Sequence, residues 1–159
     1  MEGRFFTSTE AAEITRCSRR QLQYWREKGI VSPTVDTTGK GRNVYYSIPD
    51  LLALTVMEYL LTIGLSFEVC RKALDLLRSK EAWFFDQMIE QTPMKWLMFL
   101  PTDTKEPGLD VAKFDQHAAL EALCQGRPVV PFKTDWVRSR LHENLKNFRQ
   151  SSSIQRSSA

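Results

Sequence analysis

The chain has 159 residues, 42% of them hydrophobic and 26% charged, with a formal net charge of +3. These ordinary globular values exclude a wholly disordered chain and a disulfide-dependent scaffold, and leave room for one domain or for a small module plus a second unit. No apolar run approaches the roughly 20 residues of a membrane helix, and MEGRFFTSTEAAE lacks the basic-then-apolar layout of a signal peptide, so a soluble, cytoplasmic protein is expected.

Charge is uneven along the chain. Residues 1–46 carry eight Lys/Arg against five Asp/Glu and residues 133–159 six against two, whereas residues 80–132 carry five against eight. The basic ends suit an anionic partner. Cys17, Cys70 and Cys124 stand singly, without a CxxC or Cys/His pair at zinc spacing, and read as small packed hydrophobes in a reducing compartment. Neither a metal nor a cofactor is expected.

In chain order, Ser8 and Thr9 are hydroxyl caps for a short helix reaching about Thr15, with acidic residues in its first turns. Ser18 is a second cap. Leu22 and Trp25 give the following helix an apolar side, and Gly29 ends it. Two helices joined through Thr15-Arg16-Cys17-Ser18 have the outline of a helix-turn-helix. Residues 32–46 read as a hairpin with a basic tip, Gly39-Lys40-Gly41-Arg42, and a β-prone return, Val44-Tyr45-Tyr46. Pro49 fits the first turn of a buried helix running to Gly64, and Ser66 caps another with Phe67, Cys70, Ala73, Leu74 and Leu77 at helical spacing.

After residue 80 the pattern changes. A helix through Ala82, Trp83, Phe84, Met88 and Ile89 is expected to stop near Pro93, followed by a strand at Trp96–Leu100 and another at Leu109–Phe114. A helix at His117–Cys124, a strand at Val129–Phe132 and a helix at Asp135–Phe148 complete a small mixed unit. The polar SSSIQRSSA end is expected to be disordered.

Residues 5–78 resemble the winged helix-turn-helix domain of MerR-type transcriptional regulators. The resemblance rests on FTSTEAAEITRCSRRQLQYWREKGIVSP, then GKGRNVYYSIPDL, then LLTIGLSFEVCRKALDLL. It implies a winged helix-turn-helix DNA-binding domain over 1–79; with the pattern read after residue 80, the expected fold is mainly α, this domain being followed by a small mixed α/β dimerisation or effector domain over 80–150 and a disordered tail over 151–159. It also implies a homodimer on a pseudo-palindromic operator in double-stranded DNA. RNA polymerase and an unidentified small-molecule effector are further candidate partners. Carried over by position, Arg20 matches a DNA-contacting arginine, Gln23 a recognition-helix contact and Tyr24 a phosphate-touching aromatic, with Arg42 at the wing tip. Arg16 stands where a turn glycine is common and Val44 where a wing arginine is frequent, and the family's long dimer helix is not evident beyond residue 80.

Arg19, Arg20, Gln23 and Glu27 share one broad helical face while Leu22, Trp25 and Gly29 can turn to the core. Arginine can offer two donors to guanine O6/N7, and glutamine can pair with adenine N6/N7. The same residues also suit a solvated helix surface. Lys40, Arg42 and Asn43 complete the candidate DNA-binding set; glycine-flanked cations suit phosphate or the minor groove, or simply keep a hairpin soluble. Tyr24 reads equally as a core aromatic with its hydroxyl at the rim. Trp83, Phe84, Phe85, Trp96 and Phe99 could line a pocket or a dimer interface, or form plain core. No nucleophile with a base, carboxylate pair or phosphate-binding glycine loop can be read from the linear order, and the chain is taken as a non-enzyme. The alternative to a regulator is a protein-interaction or assembly adaptor that uses the winged module.

Overall fold

The computed structural model describes residues 4–37, 43–86, 94–102 and 108–157. Strand β1 (Phe6–Thr7) leads into α1 (Ser8–Thr15). The cap is Thr7, just ahead of the expected Ser8 and Thr9. Its Oγ1 accepts from the Glu10 N–H at 3.2 Å, and Glu10 Oε1 accepts from the Thr7 N–H at 3.0 Å. This reciprocal pairing satisfies two donors that the helix cannot. At the other end Arg16 takes φ 64°, among the described residues the one non-glycine position at positive φ.

Helix α2 (Arg19–Glu27) opens the same way, with Ser18 Oγ accepting from the Gln21 N–H at 3.0 Å and Gln21 Oε1 from the Ser18 N–H at 2.9 Å. It closes at Gly29, whose φ of +69° an L side chain rarely adopts, and the Ile30 N–H returns to the Trp25 carbonyl at 2.8 Å. Leu22 and Trp25 are buried against the rest of the domain.

Strands β2 (Val35–Asp36) and β3 (Val44–Tyr46) pair antiparallel, and β1 lies on the other edge of β3. Phe6 thereby faces Tyr46 across the ladder, and Val35 faces Tyr45. The tip of this hairpin lies outside the described residues.

Helices α3 (Ile48–Thr62) and α4 (Phe67–Lys80) are capped by Ser47 and Ser66, with Pro49 in the first turn of α3. Asp50 binds the entry together: its Oδ2 accepts from Thr34 N–H at 2.8 Å, Thr34 Oγ1 at 2.6 Å and Ser47 N–H at 2.9 Å. Seven consecutive residues of α3, Leu51–Met57, are buried.

The expected helix from Ala82 onward is instead a single 3₁₀ turn, Ala82–Phe85; residues 87–93 lie outside the described residues. Two carbonyls that a continuing helix would use, those of Phe84 and Asp86, accept from the Arg138 guanidinium at 3.2 and 3.3 Å. The backbone is diverted to a distant partner.

A second sheet follows, formed by β4 (Trp96–Pro101), β5 (Leu109–Lys113) and β6 (Val130–Lys133), with α5 (Gln116–Cys124) between the last two. Its order is β5-β4-β6 and both ladders are antiparallel. Leu97, Phe99, Val111 and Phe132 put one face into the core.

Helix α6 (Thr134–Ser157) runs through 151–157, where disorder was expected. The serine hydroxyls there turn back onto the helix: Ser153 Oγ donates to the Arg149 carbonyl at 3.0 Å and Ser157 Oγ to the Ile154 carbonyl at 2.9 Å. Val137, Leu141, Leu145 and Phe148 are buried on its inner side. Arg140 ties it to Glu58 of α3 at 3.0 Å. One buried cluster extends from Phe6 through Leu54, Leu74 and Phe99 to Phe148, so the regions before and after residue 80 share a core. Phe84 and Phe99 belong to that core, whereas Trp96 is exposed and stacks on Phe114 at 3.8 Å.

Candidate nucleic-acid interface

The caps and the packing of α2 decide which residues face out. With Leu22 and Trp25 inward, Arg19, Arg20 and Gln23 line one open cleft of 340 Å³ with Ser8, Leu22, Arg26 and Tyr46. Three cations and an amide therefore line one side of α2 from its first turn to its last, with Ser8 of the first turn of α1 beside them. This is the chemistry of a surface that holds phosphate and reads base edges.

Tyr46 forms the floor of this cleft. It is 1% exposed, and burial raises its phenol above the usual tyrosine range despite the opposing field of Arg26. It stays neutral at physiological pH and so adds no negative charge to the cleft. Among the described residues, the carboxylate in contact with this face is Glu27, whose Oε1 accepts from Gln23 Nε2 at 3.0 Å.

Sequence reasoning brings together Arg19, Arg20 and Gln23 but misses Arg26 and Ser8. Arg26 was legible in principle, because 19, 23 and 26 follow the i, i+4, i+7 helical rhythm. Ser8 was not, since it joins through the meeting of α1 with β3. Tyr24 is not among the cleft residues. Its ring is 44% exposed, packs on Phe67 at 5.6 Å between centroids, and lies 5.8 Å from Lys28 Nζ. Asn43 is exposed beside β3, and its carbonyl accepts from the Thr37 N–H at 3.4 Å and Oγ1 at 3.3 Å. Lys40 and Arg42 lie outside the described residues.

The cysteines do not join the cleft. Burial pushes the Cys17 thiol up to about 12 and that of Cys70 to about 11. Cys17 Sγ donates to the Leu54 carbonyl at 3.6 Å, fastening the turn to α3. Among the described residues no group of three or more His, Cys, Asp or Glu could hold a metal ion, and no helix is long and apolar enough to cross a membrane.

Residues 6–77 match the model of the MerR HTH family regulatory proteins. Over 76 residues the chain is 33% identical to proteins named HTH-type transcriptional regulator in Mycobacterium bovis and in two strains of Mycobacterium tuberculosis. The alignment covers 47% of this chain and 34% of each relative, so the chain matches about a third of the length of these regulators. Its two reciprocally capped helices, its antiparallel strand pair, α3 and most of α4 lie within the segment 6–77 that is similar to the MerR HTH regulatory proteins.

Proposed function

We propose that the chain is a sequence-specific DNA-binding transcriptional regulator in which α2 enters the major groove of an operator. The observation that carries this reading is the alignment of Arg19, Arg20, Gln23 and Arg26 on one cleft along α2, within the segment that matches the family model. In this reading Arg19, Arg20 and Gln23 supply the base-reading groups and Arg26 holds backbone. The β2–β3 hairpin acts as the wing, with Lys40, Arg42 and Asn43 against flanking phosphate or the minor groove. Tyr24 braces the recognition helix on α4 and offers its exposed edge to phosphate.

The operator is read as a pseudo-palindrome by a homodimer. Support for contact between copies comes from apolar side chains left outside by the C-terminal unit: Leu120 is 58% exposed, Leu123 55% and Trp136 60%. The same exposed residues are what a protein-binding adaptor would use. Selection from random duplex DNA separates the two. A regulator enriches an inverted repeat; an adaptor enriches no sequence at moderate salt and instead forms a stable complex with another protein.

A further inference from the structure

Helix α6 carries a cationic flank that the reading above does not use. From Asn144 to Ser157 it contains Lys146, Arg149 and Arg156 and no Asp or Glu. With His142 and Ser153 these residues fall at i, i+4, i+7, i+11 and i+14, a single stripe along the helix. His142, Lys146, Arg149 and Ser153 line a shared shallow groove of 460 Å³. All five side chains are exposed. Among the described residues no carboxylate forms an ion pair with Lys146, Arg149 or Arg156.

The stripe is anchored on the helix-turn-helix itself. Phe148 packs edge-on against Phe6 at 6.4 Å, Phe6 faces Tyr46 across the β1–β3 ladder, and Tyr46 lines the cleft at α2. On its other flank, α6 shares a small cleft with Glu13, Ile14 and Arg16 of α1 and its turn through Asn144, Asn147 and Ser151. The helix thus meets the chain both just before α1, at Phe6, and at its end, at Glu13 to Arg16. Lys146 to Arg156 spans about 15 Å at 1.5 Å per residue, a length that covers several phosphates of a duplex strand.

We propose that this stripe binds the phosphate backbone of duplex DNA outside the bases read by α2, extending the footprint beyond the helix-turn-helix. The proposal rests on the DNA-binding reading above. The partner is a polyanion because the stripe is cationic and unpaired, and duplex DNA because the helix is seated on the elements that form the reading cleft. Serine and glutamine beside the cations add neutral donors for phosphate oxygens, which position without selecting sequence.

The test compares the full chain with a Lys146→Ala, Arg149→Ala, Arg156→Ala variant on a selected operator carrying about one helical turn of flanking duplex. Thermal melting checks that the fold is retained, and Arg156→Ala alone, in the last turn, serves if the triple variant does not fold. Each lost phosphate contact lowers the slope of log K against log salt by about 0.9. The triple variant is expected to lose roughly 2 to 3 in slope per copy, hence about 5 for a dimer on the operator, keep its preference over scrambled DNA, and match the unmodified chain once the flanks are trimmed. An unchanged slope with preference intact overturns the proposal while leaving the DNA-reading function standing. Loss of preference together with slope overturns the backbone assignment. Absence of any sequence preference in the unmodified chain removes the underlying reading and this proposal with it.

Discussion

Gln23 donates from Nε2 to Oε1 of Glu27, one turn further along the exposed side of α2, at 3.0 Å. The amide assigned to base reading is therefore engaged by a carboxylate in the free chain. Binding has to break that bond and bring a negative charge near phosphate. An exposed hydrogen bond is worth about 0.5–1.5 kcal/mol, so Glu27→Ala is expected to tighten operator binding roughly two- to tenfold. Fluorescence anisotropy titration measures it; weakened binding contradicts the assignment of Gln23.

Arg78 secures the far end of the same helix. Its Nη1 donates to the Ile30 carbonyl at 2.7 Å, just past the Gly29 reversal. Burial lowers the Arg78 pKa, with Asp75 and Asp50 opposing. A hydrogen bond from a charged donor contributes about 1.5–3 kcal/mol. Arg78→Ala should lower the melting temperature by roughly 3–12 °C. An unchanged melt would show that α2 does not depend on this tie.

Phe148 tests whether the chain folds as one unit. It is 9% exposed and touches Phe6, at the opposite end of the sequence. Truncating a buried phenylalanine costs about 3–5 kcal/mol. Phe148→Ala should shift a single cooperative transition to lower temperature. Two separated transitions would mean that residues before and after 80 melt independently.

The thiols give a pH signature. Burial raises the pKa of Cys17 from 9.0 to about 12 and that of Cys70 from 9.0 to about 11. In each case the folded chain keeps a proton that the unfolded chain loses. Their stabilising contribution is thus complete below about pH 9 and falls as the pH rises through 11 to 12. Denaturant titrations should find stability dropping across that window, with the drop reduced in Cys17→Ala relative to its own neutral-pH value. At neutral pH the exposed Cys124 should react with a thiol reagent and the other two only on unfolding.

Much of this was legible in local sequence. Ser18 and Ser66 act as caps, because a hydroxyl before an amphipathic run has a nearby N–H to accept from. The strands at 96–101, 109–113 and 130–133 follow from apolar stretches bounded by turn residues. What escaped depends on residues far apart in the chain. Arg138 diverts the carbonyls after Phe84, so the apolar run 82–89 does not begin as an α-helix. The Ser-rich end looked disordered from composition, yet it continues a helix already held by Leu145 and Phe148. Arg19, Arg20 and Gln23 were readable as a face because they lie on one helix. That Ser8 and Tyr46 complete the cleft depends on tertiary packing.

The most direct measurement of the central claim is the affinity of the full chain for its selected inverted repeat, compared with Arg20→Ala and Gln23→Ala chains on that site and on singly substituted sites. Each variant, still folded by its melting curve, should lose about 1–3 kcal/mol per half-site on the selected site and lose discrimination at one base position of each half-site. Equal binding of the selected and scrambled duplexes by the unmodified chain, or variants that retain full discrimination, would contradict recognition through α2.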